Sequence, residues 1–189
     1  VRIIAGEYRG RTLGAPKGAH TRPTADRVKE ALFSIIGPCE GCAVLDLFAG
    51  SGALGCEALS RGARHATFVD NDAQAIACIR ANISVLGCGA QADIIRRDWA
   101  DAVATEARRN SRFDLCLLDP PYSVLAGISE HIAATLRPVL AEYATVVVEG
   151  PADGPVLTLD ALAVTERIDR TYGSTRMSIF RVAEGGVSA

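Results

Sequence analysis

From residue 43 onward, short runs of apolar and β-branched residues alternate with longer stretches in which apolar positions recur at helical spacing. The runs at 43–48, 65–70, 92–96, 114–119 and 144–149 read as buried strands. Between them, Leu54, Ala58 and Leu59, then Ile76, Ile79, Ile83 and Leu86, then Ile128, Ile132 and Leu136 mark helix faces, the last stopped by Pro138. Strands alternating with helices predict an α/β fold, a doubly wound and mostly parallel sheet with crossover helices. The chain ends differently. Segments 162–170 and 177–182 flank Thr171-Tyr-Gly-Ser-Thr175, which is too short for a crossover helix, so they should pair as an antiparallel hairpin. Seven strands are expected in all.

Upstream, extended candidates at 2–5 and 11–13 surround Gly6 and Gly10 and predict a small β-hairpin arm; Gly14, Pro16 and Gly18 interrupt regular structure after it. Thr24 or a neighbour can cap a helix carrying Val28, Ala31, Leu32 and Ile35, which stops at Gly37-Pro38. The expected organisation is an N-terminal extension over 1–23, one α/β domain over 24–184 and a tail over 185–189.

Composition narrows the function classes. The 189 residues are 49% hydrophobic, enough for one sizeable core. The longest unbroken apolar run, Ala75-Ile-Ala-Cys-Ile79, falls far short of the roughly 18 residues a membrane helix needs. Six cysteines at irregular spacing suit reduced thiols, and hence a cytoplasmic protein, better than a disulfide scaffold. Cys39 and Cys42 have the spacing of half a zinc site, but no second pair completes it, so no metal is expected. The net charge of −2 argues against a basic nucleic-acid binder until it is divided: residues 1–30 hold seven bases against three acids, a local +4.

The chemistry begins at Val44-Leu-Asp-Leu-Phe48, which runs into Ala49-Gly-Ser-Gly-Ala-Leu-Gly55. Gly50, Gly52 and Gly55 fit G-x-G-x-x-G between a strand and a helix, where the backbone must turn tightly and approach a ligand. Twenty residues past Gly50, Asp70 ends the next strand, beside Asn71, where a carboxylate accepts the hydroxyl hydrogens of a ribose. A dinucleotide would place a pyrophosphate at the helix N-terminus. S-adenosylmethionine carries no phosphate but a cationic sulfonium and an amino-acid moiety, and Asp46 is a carboxylate at the rim placed to serve it. Read alone, Asp46 is equally a strand-end Asp bonded to backbone amides. Asp98-Trp99 follows the third strand, where the carboxylate can bond an adenine amine and the indole cover its ring; alternatively the pair caps a helix and anchors the core.

Leu115-Cys-Leu-Leu118 leads into Asp119-Pro-Pro-Tyr122 at the carboxyl end of the fourth strand, where ligands of open α/β sheets bind. Consecutive prolines make a stiff turn that fixes the direction of the Pro120 carbonyl. With the Asp119 carboxylate and the Tyr122 ring, this is a site for a planar amine: two acceptors for its N–H groups and a π-face for its ring.

Asp119-Pro-Pro-Tyr122 with Asp46-Leu-Phe-Ala-Gly-Ser-Gly-Ala-Leu-Gly55 resembles the class I S-adenosylmethionine-dependent methyltransferases that modify exocyclic amines. More narrowly, Arg2-Ile-Ile-Ala-Gly-Glu-Tyr-Arg-Gly-Arg11, Arg22-Pro-Thr-Ala-Asp-Arg-Val-Lys-Glu-Ala-Leu-Phe33 and Tyr172-Gly-Ser-Thr-Arg176 are similar to the RsmD family, which more often carries Glu at the place of Asp70. The resemblance implies methyl transfer to guanine N2 in small-subunit (16S) ribosomal RNA within an assembled or assembling 30S subunit, by a monomer that releases S-adenosylhomocysteine. It implies a cofactor site of Asp46, Phe48, Gly50, Ser51, Gly52, Gly55, Asp70, Asn71, Asp98 and Trp99, with Arg22 and Thr24 lining it or the base pocket. Asp119, Pro120 and Tyr122 would be catalytic, and Arg2, Tyr8, Arg9, Arg11 and Lys17 would grip RNA. Two other readings share parts of the pattern. Methylation of adenine N6 or cytosine N4 uses the same Asp-Pro-Pro-Tyr chemistry, and a nicotinamide oxidoreductase would share the glycine loop and Asp70 but leave Asp119–Tyr122 without a purpose.

Overall fold

Ala43-Val-Leu-Asp-Leu47 forms the first strand, β1, with all five residues buried, as expected of a strand covered on both faces. The computed structural model describes residues 1–16, 23–121, 124–125, 127, 131–154 and 157–183, with the side chains of 23–25 excepted. Its strands follow the order β3-β2-β1-β4-β5-β7-β6 in a seven-stranded mixed sheet. The chain divides into two compact units, Val1–Trp99 and Ala100–Ala189. No helix among the described residues is long and apolar enough to cross a membrane.

The first unit holds α1 (Pro23–Ile36), β1 (Ala43–Leu47), α2 (Ala53–Ser60), β2 (His65–Asp70), α3 (Ala73–Leu86) and β3 (Ala92–Arg96). β2 lies parallel to β1, Ala43 beside His65 through Leu47 beside Val69, and β3 lies parallel to β2. Local chemistry sets the limits of α3. The Asp72 side chain accepts from the Gln74 amide at 2.8 Å, and Gly87 ends the helix in the left-handed conformation.

The N-terminal hairpin forms as a short antiparallel pairing around the bridge of Arg2 to Thr12, with the Ile3 amide donating to the Arg11 carbonyl at 2.9 Å, Gly10 to the Ile3 carbonyl at 2.9 Å and Leu13 to the Val1 carbonyl at 2.8 Å, but it does not stand away from the protein as an arm. Ile3 and Leu13 are buried. The Ile4 and Ala5 amides donate to the two oxygens of Glu57 at 2.8 and 3.1 Å, and the Glu7 and Tyr8 amides to the Ser60 carbonyl and Oγ at 2.8 and 2.9 Å. Gly6, at φ +85°, lies so close to α2 that a Cβ would sit 1.6 Å from the Ser60 carbonyl oxygen. Glu57 is fully buried and meets Lys29 Nζ at 3.2 Å and Arg61 Nε at 2.8 Å, while Nζ also donates to the Arg2 carbonyl at 2.6 Å. Both oxygens of this carboxylate are thereby engaged, which makes its burial tolerable.

The second unit takes in α4 (Trp99–Arg108, which begins at the boundary), β4 (Phe113–Leu118), α5 (Ile132–Leu136), β5 (Leu140–Pro151), β6 (Val164–Tyr172) and β7 (Thr175–Val182). β4 and β5 are parallel from Leu115 beside Thr145 to Leu118 beside Val148. Below Leu115 the register shifts, so β5 starts four residues earlier than its apolar pattern suggests. Tyr143, exposed and at φ +59°, stands in that irregular stretch. β7 runs antiparallel to both β5 and β6, and β6 turns into β7 through Gly173-Ser174, the expected closing hairpin.

Candidate functional site

In the first unit the chain leaves β1 at Phe48, which takes the left-handed conformation at φ +60°. For a non-glycine residue this costs about 1–3 kcal/mol and is characteristic of ligand-binding turns. The Phe48 ring lies 6.2 Å from that of Trp99, inclined by 36°. The Gly52 amide donates to the Ala49 carbonyl at 2.6 Å and closes the turn, and the Asn82 amide group holds the Ser51 carbonyl at 2.8 Å. The three glycines do different work. Gly50 sits at φ +56°, and a Cβ there would meet nothing nearer than the Phe48 carbonyl at 4.0 Å, so the space before it is open. Gly52 and Gly55 face Phe68, and a Cβ on Gly55 would come within 2.3 Å of that ring.

Two carboxylates hold this loop. Asp46 accepts from the Gly55 amide at 2.9 Å, and Asp70 accepts from the Gly50 amide at 2.9 Å and the Asp72 amide at 2.9 Å. Sequence placed Asp46 at the rim; it is 2% exposed, inside the loop rather than at its edge. The amides of Gly50 and Gly55, which a pyrophosphate would need, are thus taken by anionic side chains. A phosphate there would meet two negative charges, whereas a cationic, phosphate-free ligand would meet complementary ones. The donor set therefore fits S-adenosylmethionine and opposes a dinucleotide. Asn71 is exposed beside Asp70, its carbonyl accepting from Arg96 Nε at 3.3 Å; Asp98 is exposed, and Trp99 half-buried, where α4 begins.

In the second unit Asp119 follows directly from β4. It keeps accessible surface, yet the protein crowding its carboxyl strips enough solvation to push it up to about 6. Glu149, on β5, is pushed up to about 8 by burial and by the charge of Asp119. Pro120 is buried. The Pro121 carbonyl accepts from the Val124 and Leu125 amides at 2.8 and 3.1 Å, which fixes the turn. Among the described residues nothing donates to the Asp119 carboxylate, to the Glu149 carboxylate or to the Pro120 carbonyl. Tyr122 lies outside the described residues.

The basic N-terminal side chains are distributed over the first unit. Arg2 Nε is 3.6 Å from Asp26, Arg11 donates to the Val85 carbonyl at 3.2 Å, Arg9 is exposed and Tyr8 half-buried. Arg2, Arg9, Asp26, Arg27 and Glu30 line a recess of about 400 Å³. Lys17 and Arg22 lie outside the described residues, as does the side chain of Thr24, whose backbone is in α1. Sequence reasoning missed Lys29, Glu57, Ser60, Asn82 and Glu149. The first four share one signal, a polar residue inside an apolar helix face; Glu149 ends an apolar run as Asp119 does.

A glycine loop bridged by two carboxylates, on a sheet of this order, defines the protein as a class I methyltransferase. Residues 1–181 match the family model described as conserved hypothetical protein 95, and the chain belongs to that family, the RsmD family. Ribosomal RNA small subunit methyltransferase D of Haemophilus influenzae is 38% identical over 84% of this chain and 82% of its own length. The Escherichia coli protein of the same name is 35% identical over 85% and 80%. A hypothetical protein of Thermus thermophilus has a similar structure, with a TM-score of 0.79 and 28% identity over 97% of this chain and 99% of that one.

Proposed function

We propose that this protein transfers a methyl group from S-adenosylmethionine to the N2 amine of a guanine in small-subunit ribosomal RNA. The observation that carries the reading is the acceptor pair on a rigid turn, the Asp119 carboxylate and the Pro120 carbonyl, to which no described residue donates. The names of the Haemophilus influenzae and Escherichia coli relatives support ribosomal RNA of the small subunit as the substrate.

The cofactor supplies a methyl group already activated by its sulfonium. In the first unit Asp70 would hold the ribose hydroxyls, the Gly50–Gly52 loop would lie against the amino-acid moiety with Asp46 behind it, and Phe48 and Trp99 would cover the adenine, with Asp98 on its amine. In the second unit Asp119 and Pro120 accept the two hydrogens of the target amine. That geometry localises the nitrogen lone pair, which in free guanine is spread into the ring, and stabilises the positive charge that grows as the amine attacks. Asp119, anionic above about pH 6, takes the proton that the methylated amine releases. Tyr122 would stack on the base, which must be unpaired or flipped to reach the site.

The extension over 1–23, with Arg2, Tyr8, Arg9, Arg11 and Lys17, is the RNA-gripping segment of this reading, and 24–184 is the catalytic domain. Arg22 and Thr24 would border the pocket. In this reading the protein acts in the cytoplasm, as a monomer, on an assembled or assembling 30S subunit. The test is incubation of small subunits lacking the modification with labelled cofactor, followed by nucleoside mass analysis. N2-methylguanosine is expected; N6-methyladenosine, or no transfer, overturns the reading.

A further inference from the structure

Among the described residues, Glu149 is the carboxylate beside Asp119 that the mechanism above leaves without a task. The register that sets Leu118 beside Val148 in parallel strands brings the next residues, Asp119 just past the end of β4 and Glu149 within β5, next to each other on the same face. Gly150 then admits Leu125 so closely that a Cβ would lie 2.8 Å from its Cδ2, which caps the position. The two carboxyl groups stand side by side, and neither accepts a hydrogen bond from a described residue. Adjacent acceptors of this kind call for a ligand with adjacent donors. Guanine has them, N2–H and N1–H on neighbouring atoms, whereas adenine and cytosine place a ring-nitrogen lone pair next to their amine.

We propose that Glu149 is the specificity-determining residue of the reaction, accepting the N1–H of guanine while Asp119 accepts from N2. The inference rests on the guanine-N2 reading above and extends it: a purine with a lone pair at N1 would face a carboxylate oxygen and be repelled. Around Glu149, β4 contributes Asp119. β7 contributes Met177 directly opposite and Arg176 one position on, whose guanidinium donates to the Gly154 carbonyl at 3.1 Å and to the Ala152 carbonyl. Burial, and after it the charge of Asp119, raises Glu149, and together the two carboxyls hold one proton near neutral pH, which a ligand bringing two donors displaces. Preference for guanine therefore grows as pH rises through about 8.

The experiment compares RNA carrying guanine at the target with RNA carrying 2-aminopurine, which keeps the 2-amine but has a lone pair at N1. The wild-type protein should favour guanine in kcat/KM by about tenfold or more, the worth of one hydrogen bond to a charged group. Glu149→Ala should lose that preference through a fall on guanine alone, with affinity for S-adenosylhomocysteine unchanged by calorimetry. Glu149→Gln, whose amide oxygen still accepts, should retain part of the preference and lose its rise with pH. Should Glu149→Ala fail to fold, the Glu149→Gln pH profile decides. Equal preference in wild type and Glu149→Ala, or an undiminished pH rise in Glu149→Gln, overturns the inference. Failure of the wild-type protein to methylate guanine N2 overturns the underlying reading instead.

Discussion

Asp119 and Glu149 show how differently two neighbouring carboxylates stood in the sequence. Asp119 was legible because it opens Asp-Pro-Pro, a turn whose chemistry is written in consecutive residues. Glu149 was not, because its meaning depends on the β4–β5 register, and no single-chain pattern carries a register between strands so far apart in the chain. Asp46 was legible as a carboxylate at the loop, but its burial, with Oδ2 accepting from the Gly55 amide, is a tertiary fact. These details set the pH behaviour. With Asp119 as the proposed proton acceptor, kcat should rise with pH through about 6, well above the usual carboxylate range. Asp119→Ala should lower kcat by about two to four orders of magnitude, the usual range for an acid–base group, with cofactor affinity intact. A kcat within about twofold of wild type at saturating cofactor and RNA would remove Asp119 from the mechanism.

At the scale of elements, strand existence and order were legible because five apolar runs and a short terminal turn leave few alternatives. The departures have local causes. β5 begins at Leu140 instead of 144 because it starts with an irregular stretch in which polar and left-handed residues hide the strand pattern. The N-terminal segment read as an arm because its charges are visible and its anchors are not: Glu57, Ser60 and Asn82 lie inside helix faces that look apolar. The docking has an energetic consequence. Removing Glu57 leaves Lys29, 4% exposed, as an unpaired buried cation and orphans the Ile4 and Ala5 amides, a loss of about 3–5 kcal/mol by analogy with other broken buried pairs. Glu57→Ala should therefore lower the midpoint of urea unfolding and speed hydrogen exchange at the amides of residues 3–8. Simultaneous replacement of Lys29 and Glu57 by Met and Leu should cost less than Glu57→Ala alone, because Lys29 is then no longer a buried cation without its carboxylate. Arg61, 19% exposed, turns to solvent and the Ile4 and Ala5 amides stay orphaned in both. A Glu57→Ala protein with wild-type exchange over 3–8 would show that the segment is held by other contacts.

Across the whole molecule, charge and stability are both distributed to suit a ligand. The net −2 divides into +4 over residues 1–30 and −6 beyond, so RNA affinity should fall with salt, and removing Arg9 and Arg11 together should flatten the log–log slope by about two. The acidic remainder includes two groups that weaken the folded state. Burial pushes Asp119 up to about 6 and, with the charge of Asp119, Glu149 up to about 8 in the folded protein, from ordinary values of 3.8 and 4.5. Between about pH 4 and 8 the folded protein therefore binds more protons than the unfolded chain, and stability falls as pH rises across that window. The sign is opposite to that of a salt-bridged carboxylate, whose contribution is lost toward acid. A protein carrying Asp119→Asn with Glu149→Gln lacks both titrations, so its Tm relative to wild type should climb steadily from about pH 4 to about pH 8.5 and level off beyond. Thermal melts across that range test this directly. A Tm difference that is flat with pH would mean the two carboxyls titrate normally in the folded protein, and would withdraw the shared proton that ties guanine capture to pH.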